Sequence, residues 1–204
     1  MADRVKVKIC GLRDAESAAV AVAAGADMLG VILCPARRRV TLDEAVWILG
    51  EAGEGVLKVG IFVDPTLEEV QAAIEAAALD YVQLNGSESA AFCVAVGPMA
   101  IKSFKATAAG MRPDPASYPD GPIHLEAPGT TGGGGVPWDF SLASATAGQR
   151  PAILSGGLDV ENVAAAIATV EPWAVDVSSG VETDGMKDHA KIRAFIANAR
   201  GARA

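Results

Sequence analysis

Cysteine is scarce in this chain: there are three in 204 residues, at positions 10, 34 and 93. An odd number without a C-x-x-C pair fits neither a disulfide framework nor a thiolate metal or redox site, so reduced thiols and a cytoplasmic compartment are expected. Basic residues are outnumbered as well. Seventeen Lys and Arg face 25 Asp and Glu, giving a formal net charge of -8. That is the reverse of a phosphate-backbone footprint, and it argues against nucleic acid as a partner. Long apolar runs are missing: the longest hydrophobic stretch, 17–34, is broken by Gly25 and Asp27, and no apolar run follows the basic residues of the N-terminal MADRVKVKICG. Neither a signal peptide nor a membrane span is predicted. Also absent is a G-x-G-x-x-G turn after the first apolar run, where the chain reads Cys10-Gly11-Leu12-Arg13.

What the chain does have is half its residues hydrophobic, enough for one sizeable core and a single domain over 1–204. Short aliphatic runs recur at 5–11, 28–34, 56–63, 81–86, 100–106, 122–127, 152–157 and 174–180. Between them, Ala-rich stretches such as 41–53, 66–78, 87–97, 159–170 and 188–200 carry apolar residues at three and four spacing, as amphipathic helices do. Thr66, Ser87-Glu88-Ser89 and Asp159 offer side-chain oxygens to the first turns. Strand then helix, about eight times over, predicts an α/β fold, a (β/α)8 TIM barrel; an open doubly wound sheet is the alternative. The stretch 107–120 holds Pro113, Pro115 and Pro119, so the barrel should be short, with its fifth helix reduced or missing.

Barrels of this kind gather chemistry at the carboxyl ends of their strands. Those ends carry Cys10, the Arg37-Arg38-Arg39 cluster, Asp64, Gln83 and Asn85, Lys102, Glu126, Gly156-Gly157, and Asp176 with Ser178-Ser179-Gly180. The glycine corners after the seventh and eighth runs would present backbone N–H groups to an anion, and a phosphate is expected there; a Gly-Gly pair that merely permits a tight turn is the alternative. An isolated cysteine is as readily a small buried hydrophobe as a reactive thiol. Lys8 lies two residues before Cys10, on the same face, and strand closure would bring Asp176 beside it as a buried partner. Glu126 is a carboxylate at the mouth, for which a solvated rim charge is the competing reading. His124, one pleat below, reads as a satisfied core histidine.

Four segments give the chain a resemblance to a known family. They are Lys8-Ile9-Cys10-Gly11-Leu12, Val59-Gly60-Ile61-Phe62-Val63, Val82-Gln83-Leu84-Asn85-Gly86, and Ser155-Gly156-Gly157-Leu158 together with Val175-Asp176-Val177-Ser178-Ser179-Gly180-Val181-Glu182. Over essentially its whole length the chain resembles phosphoribosylanthranilate isomerase of tryptophan biosynthesis. The resemblance implies an intramolecular oxidoreductase of the aldose–ketose type, converting N-(5'-phosphoribosyl)anthranilate to 1-(2-carboxyphenylamino)-1-deoxyribulose 5-phosphate by an Amadori rearrangement. It implies no metal and no organic cofactor, a small phosphorylated substrate, and a monomer or homodimer. Carried over residue by residue, the base falls on Cys10 and the acid on Glu126. The arginine for the anthranilate carboxylate falls on Arg38, with Arg37 or Arg39 able to substitute. Asp176 and Asn85 fall at the substrate, and the phosphate falls on Gly156, Gly157, Ser179 and Gly180.

Three departures from the family pattern lie around the mouth. Glu126 stands where the family has aspartate, Asn85 where a histidine is usual, and Val136 of the glycine-rich segment 132–140 where a lysine is common. They keep two alternatives open: a diverged paralogue acting on a related phosphoribosylamine or sugar phosphate, and a catalytically silent phosphosugar-binding barrel.

Overall fold

The computed structural model describes residues 4–128 and 138–202. Eight parallel strands, β1 (Lys6–Cys10), β2 (Met28–Ile32), β3 (Leu57–Phe62), β4 (Tyr81–Leu84), β5 (Ala100–Thr107), β6 (Ile123–Glu126), β7 (Ala152–Leu154) and β8 (Ala174–Val177), pair each with the next. The sheet closes on itself where β8 meets β1, with Lys8 opposite Asp176. Seven of the strands end one to three residues before the apolar run that announced them, whereas β5 runs one residue past its own, to Thr107. At those ends the backbone turns out of the ladder, as at Gly11, Gly156 and Gly157, all with positive φ.

Among the described residues seven α-helices cover the outside: α1 (Ala15–Ala24), α2 (Leu42–Leu49), α3 (Leu67–Ala77), α4 (Ala90–Val96), α5 (Ser141–Ala147), α6 (Val163–Val170) and α7 (His189–Gly201). The starts of α2 and α3 are fixed by capping boxes, Thr41 with Glu44 and Thr66 with Glu69. At α4 the cap is Ser89, which accepts from the Phe92 N–H; the Ser87 hydroxyl instead donates to Asp64. Asp159 caps a first turn through the N–H groups of Glu161 and Asn162, and α6 proper begins at Val163.

No α-helix joins β5 to β6 among the described residues. The proline-rich link instead folds back as a short antiparallel strand, Gly110–Arg112, and one 3-10 turn, Pro115–Ser117. The Arg150 guanidinium ties this link down by donating to the carbonyls of Pro115, Pro119 and Gly121. It thereby supplies hydrogen bonds that a helix would have made internally.

Strand alternation divides the apolar side chains into two cores. Outward-facing residues such as Leu29, Leu84, Phe104 and Val175 pack against Ile48, Val70, Ile167 and Phe195 of the helices. Inward-facing Met28, Val59, Ile61, Ile101 and Ile153 fill the barrel floor. Each fully buried aliphatic side chain contributes about 1.5–3 kcal/mol. Above that floor the same inward alternation switches to polar residues: Lys8, Cys10, Gln83, Ser103, His124, Glu126 and Asp176, all buried. Polar side chains are this costly to bury unless partnered, so the layer marks the end of the barrel where chemistry sits. No helix among the described residues is long and apolar enough to cross a membrane.

Candidate active site

A cavity of about 430 Å³ opens at the carboxyl ends of the strands, above the polar layer. Cys10, Arg38, Asn85, Glu126, Gly156, Gly157, Asp176 and Ser179 all line it. Four residues picked out from strand ends, Arg39, Asp64, Lys102 and Gly180, are not part of this lining. Lys102 points outward into a buried ion pair with Glu88 at 2.9 Å, and Asp64 accepts from the Ser87 N–H and hydroxyl. The glycine-rich segment with Val136 falls largely outside the described residues.

The Lys8 ammonium donates to Asp176 Oδ2 at 2.9 Å, and Lys8 is fully buried. Burial opposes both charges, but their mutual attraction prevails. It raises Lys8 and, aided by a hydrogen bond with His124, lowers Asp176. For Cys10, burial and then the Asp176 carboxylate push the thiol up, against the opposing pull of Lys8 and Lys187. Cys10 is therefore a thiol rather than a thiolate in the resting mouth.

Glu126 is 6% exposed and accepts from Asn85 Nδ2 at 3.0 Å. Asn85 Oδ1 in turn accepts from Gln83 Nε2 at 2.9 Å and from the Ser103 hydroxyl at 2.6 Å. Asn85 thus lines the cavity and also holds the Glu126 carboxyl. His124 is hydrogen-bonded at both ring nitrogens, to Asp176 at 3.0 Å and to Ser103 at 2.9 Å. It is the satisfied core histidine expected from the sequence, yet it also lines the cavity.

Of the arginine cluster, Arg37 and Arg38 line the cavity and only Arg38 is buried. Arg38 is 6% exposed, whereas Arg37 and Arg39 are exposed. Arg38 donates through Nε and Nη2 to the two oxygens of Glu182 at 2.5 and 3.1 Å. Glu182 also takes Arg37 at 2.7 Å and Lys187 at 3.2 Å. This cluster was not anticipated. Glu182 was visible at the end of the last motif, but Lys187 arrives on a hairpin of two-residue strands, Glu182–Thr183 and Met186–Lys187, which no periodicity announces.

Burial works against the Glu182 carboxylate, but hydrogen bonds from Arg38 and Arg37 and the charge of Lys187 outweigh it and hold the pKa at about 2. The folded protein prefers the ionised form, so this contribution to stability is complete above the ordinary value of 4.5 and is lost as pH falls toward 2. Glu182→Gln should therefore flatten the acid limb of a Tm-against-pH curve over that interval. A variant whose limb superimposed on the parent's would show that other carboxylates set the acid sensitivity.

The two glycine corners meet directly. Gly156 and Gly157 have φ of 85° and 68°, a region that L side chains rarely adopt. A Cβ on Gly180 would lie 2.0 Å from Leu158 O, so only glycine allows the last corner to press against the one before it. Gly180 therefore packs behind the cavity wall, while Ser179 and Gly156-Gly157 face the opening. Among the described residues, the N–H groups of Gly156, Gly157, Ser179 and Gly180 have no protein acceptor. Amides left free at a strand–helix corner form an anion cradle.

A closed eight-stranded barrel with a buried thiol, a carboxylate and free amides at one mouth defines a (β/α)8-barrel enzyme. Comparison with known proteins gives the particular kind. The profile of the N-(5'phosphoribosyl)anthranilate (PRA) isomerase family matches residues 7–198, and the chain belongs to that family. It is 41% identical to the N-(5'-phosphoribosyl)anthranilate isomerase of Roseiflexus castenholzii, over 96% of this chain and 98% of that one. Against the same enzyme of Desulforudis audaxviator it is 44% identical, with the same two coverages. Among solved structures, the Thermus thermophilus phosphoribosyl anthranilate isomerase superimposes with a TM-score of 0.85 at 37% identity, covering 95% of this chain and 98% of that one. A phosphoribosyl anthranilate isomerase in complex with reduced 1-(o-carboxyphenylamino)-1-deoxyribulose 5-phosphate gives 0.81 at 33%, covering 97% and 99%.

Proposed function

We propose that the chain is a single-domain, cytoplasmic phosphoribosylanthranilate isomerase of tryptophan biosynthesis, with Cys10 as base and Glu126 as acid. The observation that carries these roles is that both side chains line one cavity with the free amides of Gly156, Gly157 and Ser179.

The reaction needs a proton on the furanose ring oxygen, so that the C1–O bond breaks and the anthranilate nitrogen forms an iminium with C1. A base then removes the C2 proton, and the C2–H electron pair flows toward nitrogen to give a neutral enolamine, which tautomerises to the ketone. Glu126 gives the first proton; Cys10 loses its thiol proton to solvent and, as the thiolate, takes the second, which restores the thiol. The iminium is cationic, and its charge offsets the difficulty of forming a buried thiolate beside Asp176. The remaining N–H groups of Arg38 receive the anthranilate carboxylate, while Glu182 grips the opposite edge of the guanidinium and fixes its direction. Asp176, held by Lys8, faces the sugar. The phosphate sits on the backbone amides, which explains how an acidic protein holds a dianion.

A tryptophan auxotroph lacking the isomerase tests the reading: the gene should restore growth, and purified protein should turn over phosphoribosylanthranilate. Failure of both would leave the diverged paralogue or the silent binder. Crystals grown with sulfate or phosphate should show the anion on the amides of Gly156, Gly157 and Ser179 without substrate present. An anion elsewhere, with those N–H groups turned into packed side chains, would remove the phosphate assignment.

A further inference from the structure

Ser103 has one hydroxyl proton and two acceptors within reach: Asn85 Oδ1 at 2.6 Å and His124 Nδ1 at 2.9 Å. His124 Nε2 lies 3.0 Å from Asp176 Oδ2, a carboxylate oxygen that also receives the Lys8 ammonium, so Nε2 carries hydrogen. Two placements of the protons, equal in number, are open to these groups. In the first, Ser103 donates to Asn85 Oδ1 and His124 Nδ1 donates to Ser103 Oγ, which makes the imidazole cationic. Asn85 then offers its amide nitrogen to Glu126 Oε1, which is ionised. In the second, Ser103 donates to His124 Nδ1 and the imidazole is neutral. Turning the Asn85 and Gln83 amides over leaves heavy-atom positions almost unchanged and presents Asn85 Oδ1 to Glu126, whose carboxyl must then carry the proton. The two arrangements contain the same number of protons and the same net charge. They differ only in whether one proton resides on the imidazole or on the carboxyl.

We propose that His124 and Glu126 share a single catalytic proton, which His124 holds in the resting mouth and Glu126 delivers. The Nδ1–H bond breaks and the Oε1–H bond forms across a separation of 3.7 Å, closed by a small side-chain rotation. No redox change and no new buried charge accompany the move. The groups facing His124 are Asp176 from β8 with Lys8 and Cys10 from β1, Gln83 and Asn85 from β4, Ser103 from β5 and Glu126 from its own strand. His124 acts through Glu126 and is a positioning residue. Delivery to the furanose oxygen rests on the isomerase reading, whereas the shared proton does not.

The test has a binding-free arm and a turnover arm. In substrate-free protein, ring ¹⁵N signals of His124 should show hydrogen on both ring nitrogens, and Glu126→Gln should change those signals. In turnover, His124→Gln should lower kcat about tenfold or more with KM within a few-fold, and should change the shape of the kcat–pH profile. Ser103→Ala keeps the imidazole but breaks the bridge, and should fall between the two. Ring signals indifferent to Glu126→Gln would overturn the proposal. So would a His124→Gln profile superimposing on the parent's, even with a lowered Tm. If His124→Gln does not fold, the Glu126→Gln spectra decide. Ring signals that change with Glu126→Gln in a protein that cannot turn over phosphoribosylanthranilate would uphold the shared proton and overturn the function.

Discussion

Replacing Cys10 by alanine is expected to abolish isomerisation while leaving the affinity for a reduced product analogue within a few-fold of the parent's. A proton-transfer group acts on the barrier rather than on the ground state, and its removal costs about 10²–10⁴ in rate. The Lys8–Asp176 pair, the Glu182 clamp on Arg38 and the free amides are built from groups other than the sulfur, and are expected to survive its removal. Burial and Asp176 push the thiol up, so the parent's turnover should climb with pH into the alkaline range as thiolate becomes accessible. In Cys10→Ala that dependence disappears with the activity. Titration calorimetry beside a fluorescence turnover assay separates rate from binding. Parallel loss of both would make Cys10 a packing residue.

The architecture was readable because a closed parallel barrel repeats one simple pattern, and its eight apolar runs survive as eight strands. The Lys8–Asp176 pair was readable for the same reason. Period-two alternation puts Lys8 on the face of Cys10, and closure of β8 on β1 brings Asp176 opposite. α1 was submerged in the hydrophobic stretch 17–34, since AESAAVAVAA is apolar almost all round and shows little helical contrast. Gly180 was expected at the phosphate; its close approach to Leu158 O is a further constraint, set between two corners, that neither corner reveals alone. The Glu182 cluster depends on a hairpin too short to leave a pattern. Likewise, His124 was correctly read as buried and satisfied. That its partner Ser103 also serves Asn85, and through it Glu126, is a property of three neighbouring strands rather than of any segment.

Glu126→Gln should depress turnover by about 10²–10⁴, because the amide keeps the shape and can still accept from Asn85 but has no proton to give. Folding should be unaffected, which circular dichroism and Tm check directly. Glu126→Asp tests something different. Shortening by one carbon–carbon bond, about 1.5 Å, draws the carboxyl away from Asn85 Nδ2, and a reacting group misplaced by about 1 Å can lose on the order of a hundredfold. We expect the two departures from the family pattern to compensate one another: Glu126, the proposed acid, is one methylene longer than aspartate, and Asn85, which donates to it at 3.0 Å, is shorter than histidine. Glu126→Asp alone is therefore expected to lose activity, and Asn85→His in the same chain to recover most of it. In a double-mutant cycle this appears as a coupling well beyond the sum of the single effects. Additive single effects would mean that Asn85 does not set the position of the acid. A Glu126→Gln enzyme as fast as the parent would move the acid to the other carboxylate of the mouth, Asp176, and with it the direction from which the ring oxygen is approached.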